Sequence, residues 1–448
     1  MDWKKLLNTE RLKRPKTKKP PDLQFRPFFE DQDRILFSQP FRRLQAKTQV
    51  HPLSDNDHVR TRLTHSIEVG TIGYAIGCLV GRGVIARHRL KRFREDDFGH
   101  LVQAACYGHD IGNPPFGHIG ELAIRGWFRE NGEGNKKVFN DDMSNAQRKD
   151  LTHFDGNAQG FRILTQIENY KWNRGGMQLT LATLGAFMKY PWDSNNDPTG
   201  RGKFSIFQSE MPYAEEVAGK LGLIRRDYGW CRHPLAYLVE TADDICYALI
   251  DLEDGAEIGA YPVDRYKRFF RRFLNSQDRR KDYNSLEDNE QRISFLRAKA
   301  MTDLVKESSN EFMRNEDAIL EGEYDGALLD NIALAQFVKQ AKSIAAKQVF
   351  SHPKKVYLEV ASYTVLGGLL EAFIDACVLN GSMIDDARKL HLKRLMGHMW
   401  PKRRMSRYER ILRITDFLSG MTDRFALGMY RQLTGITSGG MTPAPTIF

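Results

Sequence analysis

The decapeptide His109-Asp110-Ile111-Gly112-Asn113-Pro114-Pro115-Phe116-Gly117-His118 constrains this chain more than any other stretch. It follows residues 97–110, where Leu101, Val102, Ala105 and Cys106 recur at helical spacing. Two glycines and two prolines then end that helix, because proline lacks a donor and glycine admits backbone angles closed to other residues. A new helix is expected at Gly117–Glu130. The two helices must therefore meet at a tight, backbone-defined turn that carries His118 back towards the His-Asp doublet.

The rest of the chain reads as helix. Residues 58–81 carry Leu63, Ile67, Ile72, Ile76, Leu79 and Val80 at near-helical spacing. Residues 234–252 form a further helix, with Pro234 placed in its first turn. Stretches 289–315, 328–349, 358–379 and 404–434 are helical in pattern, and 190–206 reads as a loop or short hairpin. Strand signals are few, so the expected fold is all-α. A hydrophobic content of 41% excludes wholesale disorder. No composition break marks a boundary, so residues 1–448 are expected to form a single domain. Within it, 1–40 reads as a basic N-terminal arm, extended over the Lys/Pro-rich run Arg11–Pro21, and 380–448 as a basic helical C-terminal part.

No stretch of about 20 residues lacks charge, as a membrane span requires. The apolar run Val69–Val80 is flanked by Glu68 and Arg82, and Lys4 and Lys5 precede only Leu6 and Leu7, which is no signal-peptide core. A cytoplasmic protein is expected. Cysteines at 78, 106, 231, 246 and 377 are odd in number and show no C-x2-C pair, which argues for reduced thiols rather than disulfides or structural zinc.

The chain has 67 basic and 57 acidic residues, a net charge of +10. The excess is clustered: residues 1–50 hold thirteen Lys/Arg and six acids, and residues 388–413 hold ten Lys/Arg and one acid, Glu409. Such patches attract phosphates, on nucleotides or on nucleic acid, and also serve as solvated surface.

Four residues form a candidate metal set: His65, His109, Asp110 and Asp243. Imidazole with carboxylate suits a divalent ion used in hydrolysis. His118 and Glu121, at i and i+3, face the same way, so the carboxylate can orient the ring for acid–base work. Asp243, Tyr247 and Asp251 recur every four residues on one face of an otherwise apolar helix, as if lining a cavity. No Walker A loop, H-E-x-x-H, G-x-S-x-G or dinucleotide fingerprint occurs. Phosphate binding would come from side chains, with Arg62, Lys189, Tyr190 and Lys203 the candidates.

Glu371 interrupts the apolar run Val365–Phe373. Buried there, it would need donors, and guanine presents two, N1–H and the 2-amino group. A salt bridge or a subunit contact would satisfy it as well.

The spaced set His65, His109-Asp110 and Asp243 resembles the H…HD…D signature of the HD phosphohydrolase superfamily. Finer motifs resemble one branch, the bacterial deoxyguanosine triphosphate triphosphohydrolases. They are the runs 42–50, 60–66, 109–118, His153–Gly160, Ala242–Ile245 and Ser419–Asp423, in order along nearly the whole chain. That family often has Glu where this chain has Asp155.

The resemblance implies a helical HD-domain core. It implies hydrolysis of dGTP to deoxyguanosine and inorganic triphosphate, by attack of a metal-activated water on the α-phosphate. The metal would be Mn²⁺ or Mg²⁺, and the protein a homo-oligomer such as a hexamer. In some members single-stranded DNA or nucleotides regulate activity.

Carried over by position, His65, His109, Asp110 and Asp243 would hold the metal. His118 would be the acid or base and Glu121 its partner. Arg62, Lys189, Tyr190 and Lys203 would hold the triphosphate, with His153 and Asn157 completing its shell. Gln49 and Asp251 would read the sugar 3′-OH, and Tyr247 would pack on C2′. Two other outcomes stay open: the same chemistry on several dNTPs or another phosphate ester, and a DNA-binding protein without activity.

Overall fold

The computed structural model describes residues 1–12, 26–47, 60–133, 138–167, 175–257, 259–349, 353–379 and 386–436. It is 70% helical and 2% strand, so the all-α expectation holds. The elements that matter below are α1 (Pro27–Leu36), α2 (Arg62–His88), α3 (Glu95–Gly108), α4 (Gly117–Asn131), α5 (Gly156–Arg162), α6 (Leu181–Phe187), α7 (Ala236–Glu257), α8 (Asn289–Arg314), α9 (Pro353–Cys377), α10 (Asp386–Met396), α11 (Arg407–Ser419) and α12 (Asp423–Leu433). The paired strands among the described residues are a small antiparallel hairpin, Arg225–Arg226 with Gly229–Trp230.

Helix α2 packs closely on α3. The contact rests on a glycine stripe, Gly70, Gly73, Gly77 and Gly81, spaced at three and four residues along α2. A Cβ on Gly77 would fall 2.8 Å from the Phe98 carbonyl oxygen and 2.9 Å from the Gly99 Cα, so the two backbones touch. The apolar periodicity located this helix but not its whole contact face. Ile72, Ile76 and Val80 are buried, whereas Ile67 and Leu79 are 42% and 36% exposed. Both α2 and residues Glu359–Cys377 of α9 are long and apolar enough to cross a membrane by length and composition, and 50% and 56% of those windows is buried inside the fold.

Three helix readings are corrected in detail. Pro234 lies two residues before α7, which begins at Ala236, instead of in its first turn, and the His233 ring accepts the Leu235 N–H just ahead of that start. Residues 404–434 are two helices, α11 and α12, parted at Gly420–Thr422, where the Thr422 hydroxyl accepts from Phe425 N and caps α12. Residues 328–349 break into a 3-10 turn, a helix at Ala335–Ile344 and a wider last turn at Ala345–Val349.

Among the described residues two apolar clusters form the interior. One joins side chains of α1–α3 and α6–α8; the other joins α4 with α9–α12. The described part of 1–40 does not stand off as an arm. Trp3, Leu6, Leu7 and Leu12 are buried, the Trp3 indole donates to Glu316 at 2.7 Å, and Arg11 pairs with Asp31 and Glu30 at 2.5 and 2.7 Å. Apolar side chains of this size gain about 1.5–3 kcal/mol each by burial, which outweighs the solvation of a few nearby charges. Residues 13–25, most of the Lys/Pro run, lie outside the described residues.

Candidate active site

The N-terminus of α2 and the C-terminus of α3 lie side by side because the glycine crossing holds the two helices together. Reciprocal bonds between Thr61 and Thr64 cap α2 and fix its first turn, which carries His65. His109 closes α3, and its Nδ1 donates to the Cys106 carbonyl at 2.6 Å. That bond assigns the ring proton to Nδ1 and leaves the Nε2 lone pair facing the site. From α7, Asp243 Oδ1 lies 3.0 Å from His65 Nε2 and 3.7 Å from His109 Nε2.

The donor atoms of His65, His109 and Asp243 lie within 4.8 Å of one another. Ligands sharing an ion at about 2.1 Å are separated by up to about 4.2 Å; Asp243 Oδ1 meets that spacing to both histidines, at 3.0 and 3.7 Å, and the donor set suits a divalent cation. Asp110 adjoins it, with Oδ2 3.7 Å from His109 Nε2, and is turned towards Arg62 Nη1 at 2.7 Å and the Asn113 amide.

Electrostatics keeps the carboxylates of the cluster ionised. Burial alone would raise the Asp110 carboxyl, but Arg62, His109 and His65 hold it well below the usual range. Asp243 is likewise held at about 2, where the hydrogen bond from His65 and the charge of both histidines outweigh burial. Burial would lower His65, yet its bond to Asp243 and the nearby carboxylates raise it. Carboxylates ionised at low pH and facing imidazoles favour cation binding.

These groups line a cavity of about 290 Å³. His118, Asn157, Lys189, Tyr190, Lys203 and Tyr247 share its wall. The Tyr247 ring is 5.7 Å from that of His65. The His118 side chain is 64% exposed, and its Nδ1 lies 3.3 Å from Glu121 Oε2. Glu121 itself is buried. Its Oε1 accepts from Gly156 N at 2.9 Å, and its Oε2 receives Lys203 at 3.2 Å. Although burial opposes it, His118 and Lys203 hold the Glu121 carboxyl at about 2.

Both rim lysines already have carboxylate partners: Lys203 bridges Glu121 and Asp155, and Lys189 lies 3.3 Å from Glu240, which Arg232 also binds at 2.7 Å.

Other sequence candidates fall elsewhere. Arg62, expected at the phosphates, is buried behind the wall on Asp110. His153 is half-buried with its Nδ1 3.1 Å from the Thr152 hydroxyl and does not line the cavity. Asn157 does, while its amide donates to Asp155 at 2.7 Å. Asp251 is buried two turns from Asp243, off the wall. Gln49 lies outside the described residues.

For Glu371 the expectation of burial is overturned. It is exposed on α9 and away from the cavity, while Leu366, Leu369, Leu370, Phe373 and Ile374 take the buried positions. One side of the helix suffices to fill the core, and the carboxylate takes the other.

Sequence reasoning gave no role to Asn113, Glu240 or Arg125. Asn113 was visible inside the Gly/Pro turn, and Glu240 extends the Asp243 stripe back by three residues. Arg125, which donates to the Phe154 carbonyl at 2.7 Å, had no sequence signal beyond lying one turn after Glu121.

Residues 62–153 match the HD domain, and residues 332–432 match the phosphohydrolase-associated domain. A deoxyguanosinetriphosphate triphosphohydrolase-like protein of Pseudomonas aeruginosa (strain LESB58) is 41% identical over 98% of this chain and 100% of its own length. Its counterpart in Synechocystis sp. is 38% identical over 98% and 100%. A deoxyguanosinetriphosphate triphosphohydrolase of Enterobacter sp. (strain 638) is 30% identical over 97% and 99%.

Proposed function

Because this chain belongs to the deoxyguanosinetriphosphate triphosphohydrolase family of HD-domain hydrolases, we propose that it hydrolyses dGTP to deoxyguanosine and inorganic triphosphate. The observation that carries the reading is the convergence of His65, His109 and Asp243 at a cavity whose rim bears Lys189 and Lys203. Those three residues, with Asp110, would hold Mn²⁺ or Mg²⁺. Such an ion supplies Lewis-acid polarisation of the α-phosphate and a nucleophilic water at neutral pH.

The chain's own groups account for the remaining steps. Lys189, Tyr190 and Lys203 bind the phosphate tail as their carboxylate partners give way, offsetting charge that builds on the equatorial oxygens. Tyr247 packs against the deoxyribose at C2′. As the water oxygen bonds to the α-phosphorus, the bond to the 5′-oxygen breaks. His118, oriented by Glu121, gives that oxygen its proton.

Incubation with each dNTP and Mn²⁺, followed by separation of products, tests this. Nucleoside and intact triphosphate are expected, with dGTP turned over fastest, and His109→Ala should abolish both turnover and bound metal. Release of pyrophosphate or orthophosphate would refute the reaction class. Similar rates on all four dNTPs would make it a broader triphosphohydrolase, an outcome kept in view because Glu371 is off the cavity wall.

The proposal extends to partners. Lys389, Lys393, Lys402, Arg403 and Arg410 surround a second cleft of about 770 Å³ beside Trp400, with no acidic residue in its lining among the described residues. Cations flanking an aromatic ring suit the backbone and bases of single-stranded DNA. The apolar face Val356, Tyr357, Val360 and Tyr363, 48–78% exposed on α9, suits burial against another copy in a homo-oligomer.

A further inference from the structure

Three residues that the proposed reaction leaves without a role, Lys47, Ser419 and Asp423, meet at the turn that follows the His-Asp doublet. Lys47 is 3% exposed. Its Nζ donates to the carbonyl oxygens of Asn113 and Ser419, both at 2.6 Å. Its own carbonyl accepts the Arg62 N–H at 3.1 Å. One residue thus joins the start of α2, which carries His65, to the turn after α3 and to the end of α11.

The same C-terminal corner supplies a second fastening. Asp423 Oδ1 accepts the Phe116 N–H at 2.9 Å. Phe116 and Gly117 both adopt left-handed backbone angles, φ +64° and +60°. A phenylalanine holds that conformation only where its surroundings impose it. Gly117 is needed for a further reason: a Cβ there would fall 2.3 Å from the Arg62 guanidinium.

The bonds close a ring around Asp110. Lys47 holds the Asn113 carbonyl, the Asn113 amide donates to Asp110 Oδ1, Arg62 donates to Asp110 Oδ2, and the Arg62 backbone returns to Lys47. A buried ammonium is an expensive way to join helices, and burial with the nearby Arg43 pushes Lys47 down to about 7. An apolar side chain would fill the space, but it could not fix two carbonyl oxygens at once.

We propose that Lys47 and Asp423 are positioning residues. They clamp the 113–117 turn, so that Asn113 and Arg62 hold the Asp110 carboxylate in register with His65, His109 and Asp243, and they thereby set the affinity of the site for a divalent cation. The inference rests on the metal reading above.

The test is Mn²⁺ titration of the full chain, with free Mn²⁺ measured by electron paramagnetic resonance. Groups that orient a metal's ligands typically change affinity by about 10–100-fold when removed. That loss is expected for Lys47→Met and for Asp423→Leu. Asp423→Asn keeps an oxygen for the Phe116 N–H and should stay within about threefold of wild type. Phe273→Leu, a core truncation on another part of the chain, controls for lost stability and should leave affinity unchanged.

Wild-type affinity in both Lys47→Met and Asp423→Leu would overturn the clamp. So would an equal loss in Asp423→Asn or Phe273→Leu. Should Lys47→Met fail to fold, the Leu and Asn variants at 423 decide alone. Wild-type Mn²⁺ binding that His109→Ala leaves intact would instead overturn the metal reading and the clamp with it.

Discussion

Replacing Gly77 by alanine should destabilise the fold, although alanine is the better helix former by about 1 kcal/mol. The added Cβ would lie 2.8 Å from the Phe98 carbonyl oxygen and 2.9 Å from the Gly99 Cα, against 3.4–4 Å for ordinary contact. Both neighbours are backbone, so no side chain can rotate away, and α2 and α3 must part by roughly half an ångström. Overpacking a tight contact costs about 1–3 kcal/mol. With backbone on both sides the upper end applies, which leaves a net loss of about 2 kcal/mol after the propensity gain.

Gly126, mid-helix in α4, has nothing within 4 Å of its would-be Cβ. Gly126→Ala should therefore stabilise by about 1 kcal/mol. Urea unfolding of the two variants beside wild type measures the difference of about 3 kcal/mol. A Gly77→Ala chain at least as stable as wild type would refute the claim that this crossing is set by backbone contact. A second consequence is local: helices pushed apart at Gly77 carry His65 and His109 with them, so Mn²⁺ affinity should fall in Gly77→Ala and not in Gly126→Ala.

His118→Ala should lower kcat by about 10²–10⁴-fold with Mn²⁺ still bound; loss of bound metal would make His118 a ligand. Tyr247→Ala should raise activity on GTP relative to dGTP by opening the wall beside C2′, and an unmoved ratio would remove the tyrosine from sugar selection. His233 is fully buried between the Leu6 carbonyl and the Leu235 N–H, and burial pushes it down to about 4 from 6.5. The unfolded chain then binds the proton more readily between those values, so stability present above pH 6.5 is lost as pH falls towards 4, about 3 kcal/mol in all. His233→Gln, which keeps a donor for Leu6, should flatten that loss in unfolding experiments across pH 4–8; an unchanged slope would assign acid sensitivity to other groups.

The helices were legible because apolar periodicity and Gly/Pro punctuation report burial and chain reversal directly. The α2–α3 crossing was not, although α2 itself was. Pattern reading counts apolar side chains, and glycine adds nothing to that count even where the contact is closest. Gly70, Gly73, Gly77 and Gly81 are spaced as a helix face, so a small-residue stripe was the available signal. Glu371 shows the reverse failure. The sequence around it is apolar on nearly every side, so it could not say which side the core would take. Packing of α9 against α4 and α11 took Leu366, Leu370 and Phe373 and left the carboxylate exposed.

The geometry at the centre of the site was readable for a different reason. Histidine and aspartate are uncommon ends for apolar helices, and a rigid turn after them limits where the chain can go. His65, His109 and Asp243 come from three helices and still converge. What that reading missed is the layer behind them, since it is built largely on backbone. Lys47 binds two carbonyl oxygens, Asp423 one amide, and His109 one carbonyl. Every residue has those groups, so no spacing of side-chain types encodes which of them will be bound. Only the side chains that bind them leave a trace, a donor lysine at 47 and an acceptor aspartate at 423, 376 positions apart. A candidate set chosen for its chemistry can therefore be read from sequence, while the groups that bind the backbone behind it become visible only once helices fix where the carbonyls point.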